Sequence, residues 1–473
     1  MHKKKTKVLQ RFLKGEVKMK EIEKEINQLY KEFFEEKKLV SEGKITEIFK
    51  NISNLKSQVS SLQKAIMELG RLLHYDSLLK NNFNFDLIKD FYNQDNETIK
   101  RAEAKLYEHL NLNREMMFGY PANMSKDSYL VSYFRWLESG MYLMNSCGDA
   151  YHPGNYKMHN AETELAIIEK IKENLGLSGN KYWGYINSGG TEGNFWGLRE
   201  GITQYKNAVV YVSKDAHYSV AKFLEMVNKV EVEFIDVING KFDNEKLFER
   251  IEFNYKEYKK PAVLLLTCGT TAVGGVDDVE LIKNRLIELK IPHYIHLDAA
   301  MYGGIPKNSI NSPSSELFNK LNDLDIDSIS ISLHKYIGNH KVNGILLAQN
   351  QSVDNFVDYI GQRDISILGS RDLAPFSTLQ RIKELYDRTP SDEYSKNVIY
   401  FENLLKQKGI SYLKGDKNGN TFVIKKPSER ICQKYQLATF THNDIESAHI
   451  IIFPYHTHKS MNDLLDEIIS ENN

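Results

Sequence analysis

Residues 327–338 read DSISISLHKYIG. From Ser328 to Ser332 polar and apolar residues alternate, which is the period of a strand. The run stops at Leu333-His334-Lys335. That lysine is either an ordinary charge closing a buried strand or a nucleophile held in place by it, and the flanking sequence has to decide. From about residue 115 to 355, short β-rich runs alternate with helical patterns. The runs are KYWGYINSG, NAVVYVS, VEVEFIDV, PAVLLLTCG, HYIHLDAA, DSISISLH and NGILLAQ. Helical stretches such as AETELAIIEKIKENLG and DVELIKNRLIELK lie between most of them. This alternation predicts an α/β fold with a mostly parallel central sheet covered by helices. Ligands of such sheets sit beyond the carboxyl ends of the strands, so the residues following each run are the candidates.

After KYWGYI comes NSGGTEGN (187–194), then a helical pattern. A Gly-rich turn opening a helix presents N–H groups at the positive end of the helix dipole and suits a phosphate. It carries neither the GK[ST] of a P-loop nor GxGxxG, and alone it is a tight connection. After NAVVYVS comes Asp215-Ala216-His217, whose ring is either polar surface or a platform for a flat ligand. After PAVLLLTC the stretch GTTAVGGVDD (269–278) offers small residues and hydroxyls, as a loop or as a close approach to a ligand. After HYIHL, Asp298 is a carboxylate ending an apolar strand, which is costly without a cationic partner. The alanines beside it leave room for something planar. Lys335 in apolar surroundings has a lowered pKa and can form a Schiff base.

Taken singly, each of these is an unremarkable strand end. Together they offer a phosphate cradle, a stacking ring, a buried acid and an amine nucleophile. Pyridoxal 5′-phosphate requires all four: its aldehyde takes the lysine, its ring nitrogen the aspartate, and its phosphate the glycine turn.

Composition is consistent with a soluble enzyme. Of 473 residues 41% are hydrophobic and 26% charged, and the net charge of −1 gives no global pull toward nucleic acid or an anionic membrane. Cys147, Cys268 and Cys432 are odd in number and far apart, without disulfide or zinc spacing, which fits a reducing compartment. No signal peptide and no apolar run of membrane-spanning length is present, so a cytoplasmic location is expected.

NSGGTEGN, DAHYSVAK, GTTAVGGVDD, HLDAAMYGG, DSISISLHKYIG and GSRDLAP occur in that order, preceded by GYPANM at 119–124 and YHPGNYKMHNAETE at 151–164. In order and spacing these blocks resemble the pyridoxal-phosphate-dependent group II amino-acid decarboxylases, in the branch with bacterial histidine decarboxylase and plant serine decarboxylase. The resemblance covers roughly residues 85–473. It implies a type I (aspartate aminotransferase-like) PLP-dependent transferase fold and α-decarboxylation of an L-amino acid to an amine and CO2. L-Histidine giving histamine is the expected substrate, with L-serine or another small polar amino acid next. A pyridoxal enzyme that cleaves carbon–carbon bonds or transaminates is the alternative of another class. A homodimer or larger homo-oligomer with the site at the interface is expected.

The resemblance also implies roles. Lys335 carries the Schiff base, Asp298 pairs with the ring nitrogen, and His217 stacks on one ring face with Ala300 on the other. Gly190, Thr191 and Ser332 hold the phosphate, while Thr271 and His334 lie near the lysine linkage and the substrate carboxylate. Tyr359, in VDYIGQRD, corresponds to a mobile-loop tyrosine that protonates the substrate carbon. Ser370 and Arg371 lie near the substrate pocket, from this chain or the other protomer, and Tyr120 is a further pocket candidate. Two blocks depart from the branch: GSRDLAP stands where GSRNGHAP is usual, and HKYIGNHKVNG where HKMIGxPxPCG is usual. Both departures bear on substrate choice.

The domain reading follows. Residues 1–80 form a helical extension in which Ile45, Ile48, Ile52, Leu55, Val59, Leu62, Ile66, Leu69 and Leu73 keep a heptad a/d spacing. It is either a coiled-coil arm for assembly or a hairpin packed on its own domain. Residues 81–115 are an N-terminal helical segment of the decarboxylase, 116–355 the large PLP-binding α/β domain, and 356–473 a small α+β domain.

Overall fold

All the β-rich runs from 182 to 349 join one seven-stranded sheet in the computed structural model. Its strands are β1 (Tyr182–Asn187), β2 (Val209–Ser213), β3 (Glu231–Ile235), β4 (Ala262–Thr267), β5 (His293–Asp298), β6 (Ser328–Ser332) and β7 (Gly344–Gln349), in the order β1-β7-β6-β5-β4-β2-β3. The structure describes residues 114–124, 145–349 apart from 153, 157–158, 228–229, 308, 310–311, 314 and 340, then 355–372, 376–387 and 393–472. The expected heptad arm and nearly all of the 81–115 segment lie outside the described residues. The chain divides into two compact units, 1–104 and 105–473, and every described residue belongs to the second.

Strands β3, β2, β4, β5 and β6 are mutually parallel, whereas β7 runs antiparallel to both β6 and β1. Since β1 and β6 both oppose β7, they point the same way. The carboxyl ends of β1, β2, β4, β5 and β6 therefore share one edge of the sheet. The register aligns particular residues there: Thr267, Asp298 and Ser330 lie side by side across β4, β5 and β6. Asn187 and Ser332 flank Gly344 across β1, β7 and β6.

The sheet is covered on both faces, which explains the unbroken apolar run AVLLLT of β4, whose six residues are all buried. One face packs Leu264, Leu266, Ile295, Leu297 and Ile329 against helices α1 (Ala161–Asn174), α4 (Asn244–Tyr258), α5 (Val279–Glu288) and α6 (Ser315–Leu324) through Ile167, Ile251, Ile282 and Phe318. The other packs Val210, Val212, Val263, Leu265 and Tyr294 under α2 (Gly190–Gln204) and α3 (Tyr218–Met226) through Leu198, Val220 and Phe223. Fully burying each such side chain contributes about 1.5–3 kcal/mol.

Helix α2 lies very close to the sheet because glycines recur every fourth residue on one face. A Cβ at Gly193 would lie 2.6 Å from Ser330 Cβ, at Gly197 2.0 Å from His296 Nδ1, and at Gly201 2.8 Å from Tyr294 Cδ1. Three residues of β5 and β6 thus occupy a notch along the helix.

The C-terminal part comprises α7 (Phe376–Asp387), α8 (Glu393–Gln407), β8 (Thr421–Lys425), α9 (Glu429–Lys434), β9 (Ala438–His442), β10 (Ile445–Ile451) and α10 (His458–Asn472), with an antiparallel sheet ordered β8-β10-β9. The α+β character matches the expectation, but its core is continuous with that of the large sheet. The Tyr336 ring, next to Lys335, lies 5.8 Å from Tyr394 and 6.1 Å from Phe453. Strand β9 was not among the runs read from sequence. It is a mostly exposed edge strand, joined to β10 by Asn443 and Asp444, which have φ of 48° and 63°, the backbone of a tight hairpin turn. Among the described residues no helix is long and apolar enough to cross a membrane, and the three cysteines are free.

Candidate active site

The turn after β1 is built by its own side chains. Gly189 has φ 135° and ψ 173°, a conformation open essentially only to glycine. Asn187 Oδ1 accepts from Gly189 N at 2.9 Å, and Glu192 Oε2 accepts from Ser188 N at 2.9 Å and Ser188 Oγ at 2.7 Å. These bonds fix where α2 begins, with the amides of its first turn at the sheet edge. Gly190 N donates to Ser332 Oγ at 3.2 Å, tying the helix start to the end of β6. A Cβ on Gly190 would lie 2.7 Å from Ser332 Oγ and 3.2 Å from Ala300 Cβ.

His217 caps α3: its Nδ1 accepts from Ser219 N at 3.3 Å and faces Ser219 Oγ at 2.7 Å. The proton of the neutral ring is therefore assigned to Nε2. Burial lowers its pKa, and Lys335 lowers it further against the opposing pull of Asp298. Asp298 is 4% exposed. Its Oδ1 accepts from Ala300 N at 3.0 Å and its Oδ2 from Asn194 Nδ2 at 2.7 Å.

Lys335 follows β6 in a tight turn, its N–H reaching Ser332 O at 3.3 Å and its carbonyl accepting from Asn123 N at 2.8 Å. Asn123 Nδ2 also holds Tyr336 O at 2.9 Å, so the GYPANM segment supports the lysine turn from outside the sheet. Burial lowers the Lys335 pKa below the usual lysine value, with Asp298 opposing. His334 Nδ1 donates to Asn343 O at 2.8 Å, and its pKa too is lowered by burial.

These groups line one cavity of about 220 Å³. The structure brings nine of the expected residues to its wall: Lys335, His217, Asp298, Gly190, Thr191, Ala300, Thr271, Ser332 and His334. It adds Asn194, Thr267, Ser188 and Val342, which the sequence reading passed over. Asn194 stands four residues after Gly190, one helical turn on, and that spacing is the signal that would have found it. Thr267 is legible only through the register that aligns it with Asp298.

Four expected residues do not line this cavity. Tyr359 is 75% exposed on the turn between the paired residues Phe356–Val357 and Gln362–Arg363. That turn is held by Asn155, whose N donates to Ile360 O at 2.8 Å. Tyr120 and Ser370 are also exposed. Arg371 is committed to partners within its own chain. Its side chain is 3% exposed and paired with the equally buried Glu164 at 2.8 Å. Its guanidinium donates to Ile186 O at 2.8 Å and Gly148 O at 2.6 Å, while Glu164 accepts from Ile186 N at 2.8 Å. Arg371 and Glu164 together satisfy the outward C=O and N–H of Ile186 in β1. The two departures from the family pattern meet in space: Lys341 Nζ lies 3.0 Å from Asp372 Oδ2, so the charge of Asp372 is compensated.

The cavity suits pyridoxal 5′-phosphate. It holds a lysine amine of lowered pKa, a buried carboxylate, an imidazole and a helix start where only a glycine leaves room. Thr267 Oγ1, buried in the same wall, has no hydrogen-bond partner. Among the described residues no cluster of three or more His, Cys, Asp or Glu could hold a metal ion.

Residues 199–380 match the pyridoxal-dependent decarboxylase conserved domain. The chain is 32% identical over 379 residues to a histidine decarboxylase of Pseudomonas entomophila (strain L48), covering 78% of this chain and 89% of that protein. It is 31% identical over 371 residues to a histidine decarboxylase of Vibrio campbellii, covering 76% and 91%. Among solved structures, L-methionine decarboxylase from Streptomyces sp. 590 superposes with a TM-score of 0.67 at 19% identity, covering 80% of this chain and 95% of that one.

Proposed function

The chain belongs to the pyridoxal-dependent decarboxylase family, and from that membership we propose its reaction: L-histidine loses its α-carboxylate to give histamine and CO2. Similarity to histidine decarboxylases over most of their length supports this substrate. The observation that carries the reading is the cavity where Lys335, Asp298 and His217 meet beyond the strand ends. The cofactor, pyridoxal 5′-phosphate, supplies an electron sink for the pair left on the α-carbon when CO2 departs.

The chain's own residues do the rest. Lys335 would hold the cofactor covalently, burial lowering its pKa and so favouring the neutral, nucleophilic form of the amine. Asp298 would hold the ring nitrogen, its carboxylate already oriented by Ala300 N and Asn194. Gly190, Thr191 and Ser332 would hold the phosphate, and His217, anchored at Nδ1, would lie against the ring. His334 has Nδ1 committed to Asn343, so it has Nε2 to offer a substrate. Tyr359 would deliver the proton that replaces CO2. Its exposure outside the cavity of its own chain suits action on the cavity of a second protomer, in a homodimer with sites at the interface.

Purified protein loaded with cofactor should release CO2 and histamine from L-histidine in equal amounts. Lys335→Ala should lose both turnover and the visible absorbance of the bound cofactor. CO2 released faster from L-serine than from L-histidine, or a keto acid formed without CO2, would overturn the reading.

A further inference from the structure

Behind Asp298 a file of buried polar side chains runs into the fold, and the reaction as described uses none of it beyond Asn194. Asn194 is 2% exposed, and His296, Ser328, Ser330 and Tyr294 are 0% exposed. Asn194 Nδ2 donates to Asp298 Oδ2 at 2.7 Å. Asn194 Oδ1 lies 2.9 Å from His296 Nε2 and also accepts from Ser330 Oγ. His296 Nδ1 lies 2.8 Å from Ser328 Oγ, to which Tyr294 OH donates at 2.9 Å.

The direction of every bond follows from one end. A carboxylate only accepts, so the NH2 of Asn194 faces Asp298 and its oxygen faces His296. Nε2 of His296 must then carry the ring proton. Nδ1 is bare and accepts from Ser328, which in turn accepts from Tyr294. Each donor along the file points toward Asp298, and hydrogen bonds so arranged polarise one another. Burial pushes the pKa of His296 down to about 4, so the ring stays neutral with both nitrogens in use. The glycine notch of α2 admits the file: a side chain at Gly197 would occupy the place of the His296 ring, and one at Gly193 that of Ser330.

We propose that His296, acting through Asn194, is a positioning residue that holds Asp298 as an oriented anion toward the ring nitrogen of the cofactor. The proposal rests on the reading that Asp298 meets that nitrogen. It assigns a role to a histidine that touches neither substrate nor cofactor.

The test uses full-length protein freed of cofactor and titrated with pyridoxal 5′-phosphate, recording the dissociation constant and the visible bands of the bound form. Circular dichroism verifies folding. His296→Phe fills the notch without a donor. Asn194→Leu breaks the file next to Asp298. Each should weaken cofactor binding about tenfold, the scale on which outer-sphere partners act, and each should change the proportions of the visible bands. His296→Gln keeps an N–H for Asn194 and should recover most of the loss. The double variant should be within about threefold of Asn194→Leu alone, because the histidine acts only through that residue. A folded His296→Phe protein with native affinity and bands overturns the proposal, as does full additivity in the double variant. Should His296→Phe not fold, Asn194→Ser takes its place, and native bands in that variant likewise overturn the proposal. A native protein lacking a Lys335-dependent visible band would instead sink the underlying assignment.

Discussion

Lys335 and His296 are both buried bases with lowered pKa values, and they differ in what the burial serves. For the lysine it makes an amine reactive. For the histidine it keeps a ring neutral, and that has a consequence for stability. In the unfolded chain His296 takes up a proton near pH 6.5, but in the fold only near pH 4. Between those values the unfolded state binds more protons, so this contribution is present above about pH 6.5 and is lost as pH falls toward 4. The loss amounts to about 3 kcal/mol at the lower limit. His456, pushed down to about 3 by burial, acts in the same sense. Buried Asp277 and Asp327, raised to about 7 and about 6, act in the opposite sense. Between pH 7 and pH 5 the thermal midpoint of His296→Phe should therefore fall less, or rise more, than that of the native protein. An unchanged slope in the variant would show that His296 does not titrate on unfolding. At this scale the sequence was most legible where chemistry is unusual. Lys335, Asp298 and His217 stood out as polar groups ending apolar strands. His296 did not, because a histidine inside HYIHLD differs in nothing visible from any strand residue, and only the notch opposite reveals its surroundings.

The strands were legible because a sheet covered on both faces needs continuous apolar runs, and each run was bounded by a change of texture. Edge elements were not. Strand β9 is mostly polar and exposed, so its hydrophobic pattern carries no signal. Arg371 follows a similar logic: a charged residue in a family block reads as a ligand contact, and its pairing with Glu164 inside the fold leaves no sign in the sequence. The Arg371–Glu164 pair satisfies Ile186 on the outer edge of β1, whose last residue, Asn187, orders the glycine turn. Glu164→Gln leaves a buried guanidinium without its anion and should cost about 3–5 kcal/mol. It should also weaken cofactor binding, since the turn hangs from that strand. Chemical denaturation and cofactor titration of the same variant test both effects. Native stability would mean the pair is not the anchor of β1.

For the whole molecule, assembly is the open variable. If Tyr359 acts on the cavity of a second protomer, Lys335→Ala and Tyr359→Phe are defects in different halves of one site. Mixing the two inactive or impaired proteins under conditions of subunit exchange should then restore activity, up to roughly a quarter of the native rate by random re-pairing in a dimer. No gain over the sum of the separate proteins would place the tyrosine within its own chain. The α/β architecture was readable at this scale, since alternation of runs and helices leaves few topologies. The merging of the C-terminal layer into the main core was not, because contacts such as Tyr336 with Tyr394 join residues far apart in the chain.

The shared edge of the sheet has a last implication, for the order of folding. The cavity draws on Ser188, His217, Thr267, Asp298 and Ser332, which come together only when β1, β2, β4, β5 and β6 are all in register. No fragment of the chain owns the cofactor's binding energy. Pairings so distant in sequence form slowly, because loop closure must precede contact. Cofactor uptake is therefore expected as a late event in refolding. Saturating cofactor then stabilises the completed state by mass action, about 2.7 kcal/mol at a hundredfold excess over its dissociation constant. The time course of the visible band thus serves as a clock for the closing of the sheet.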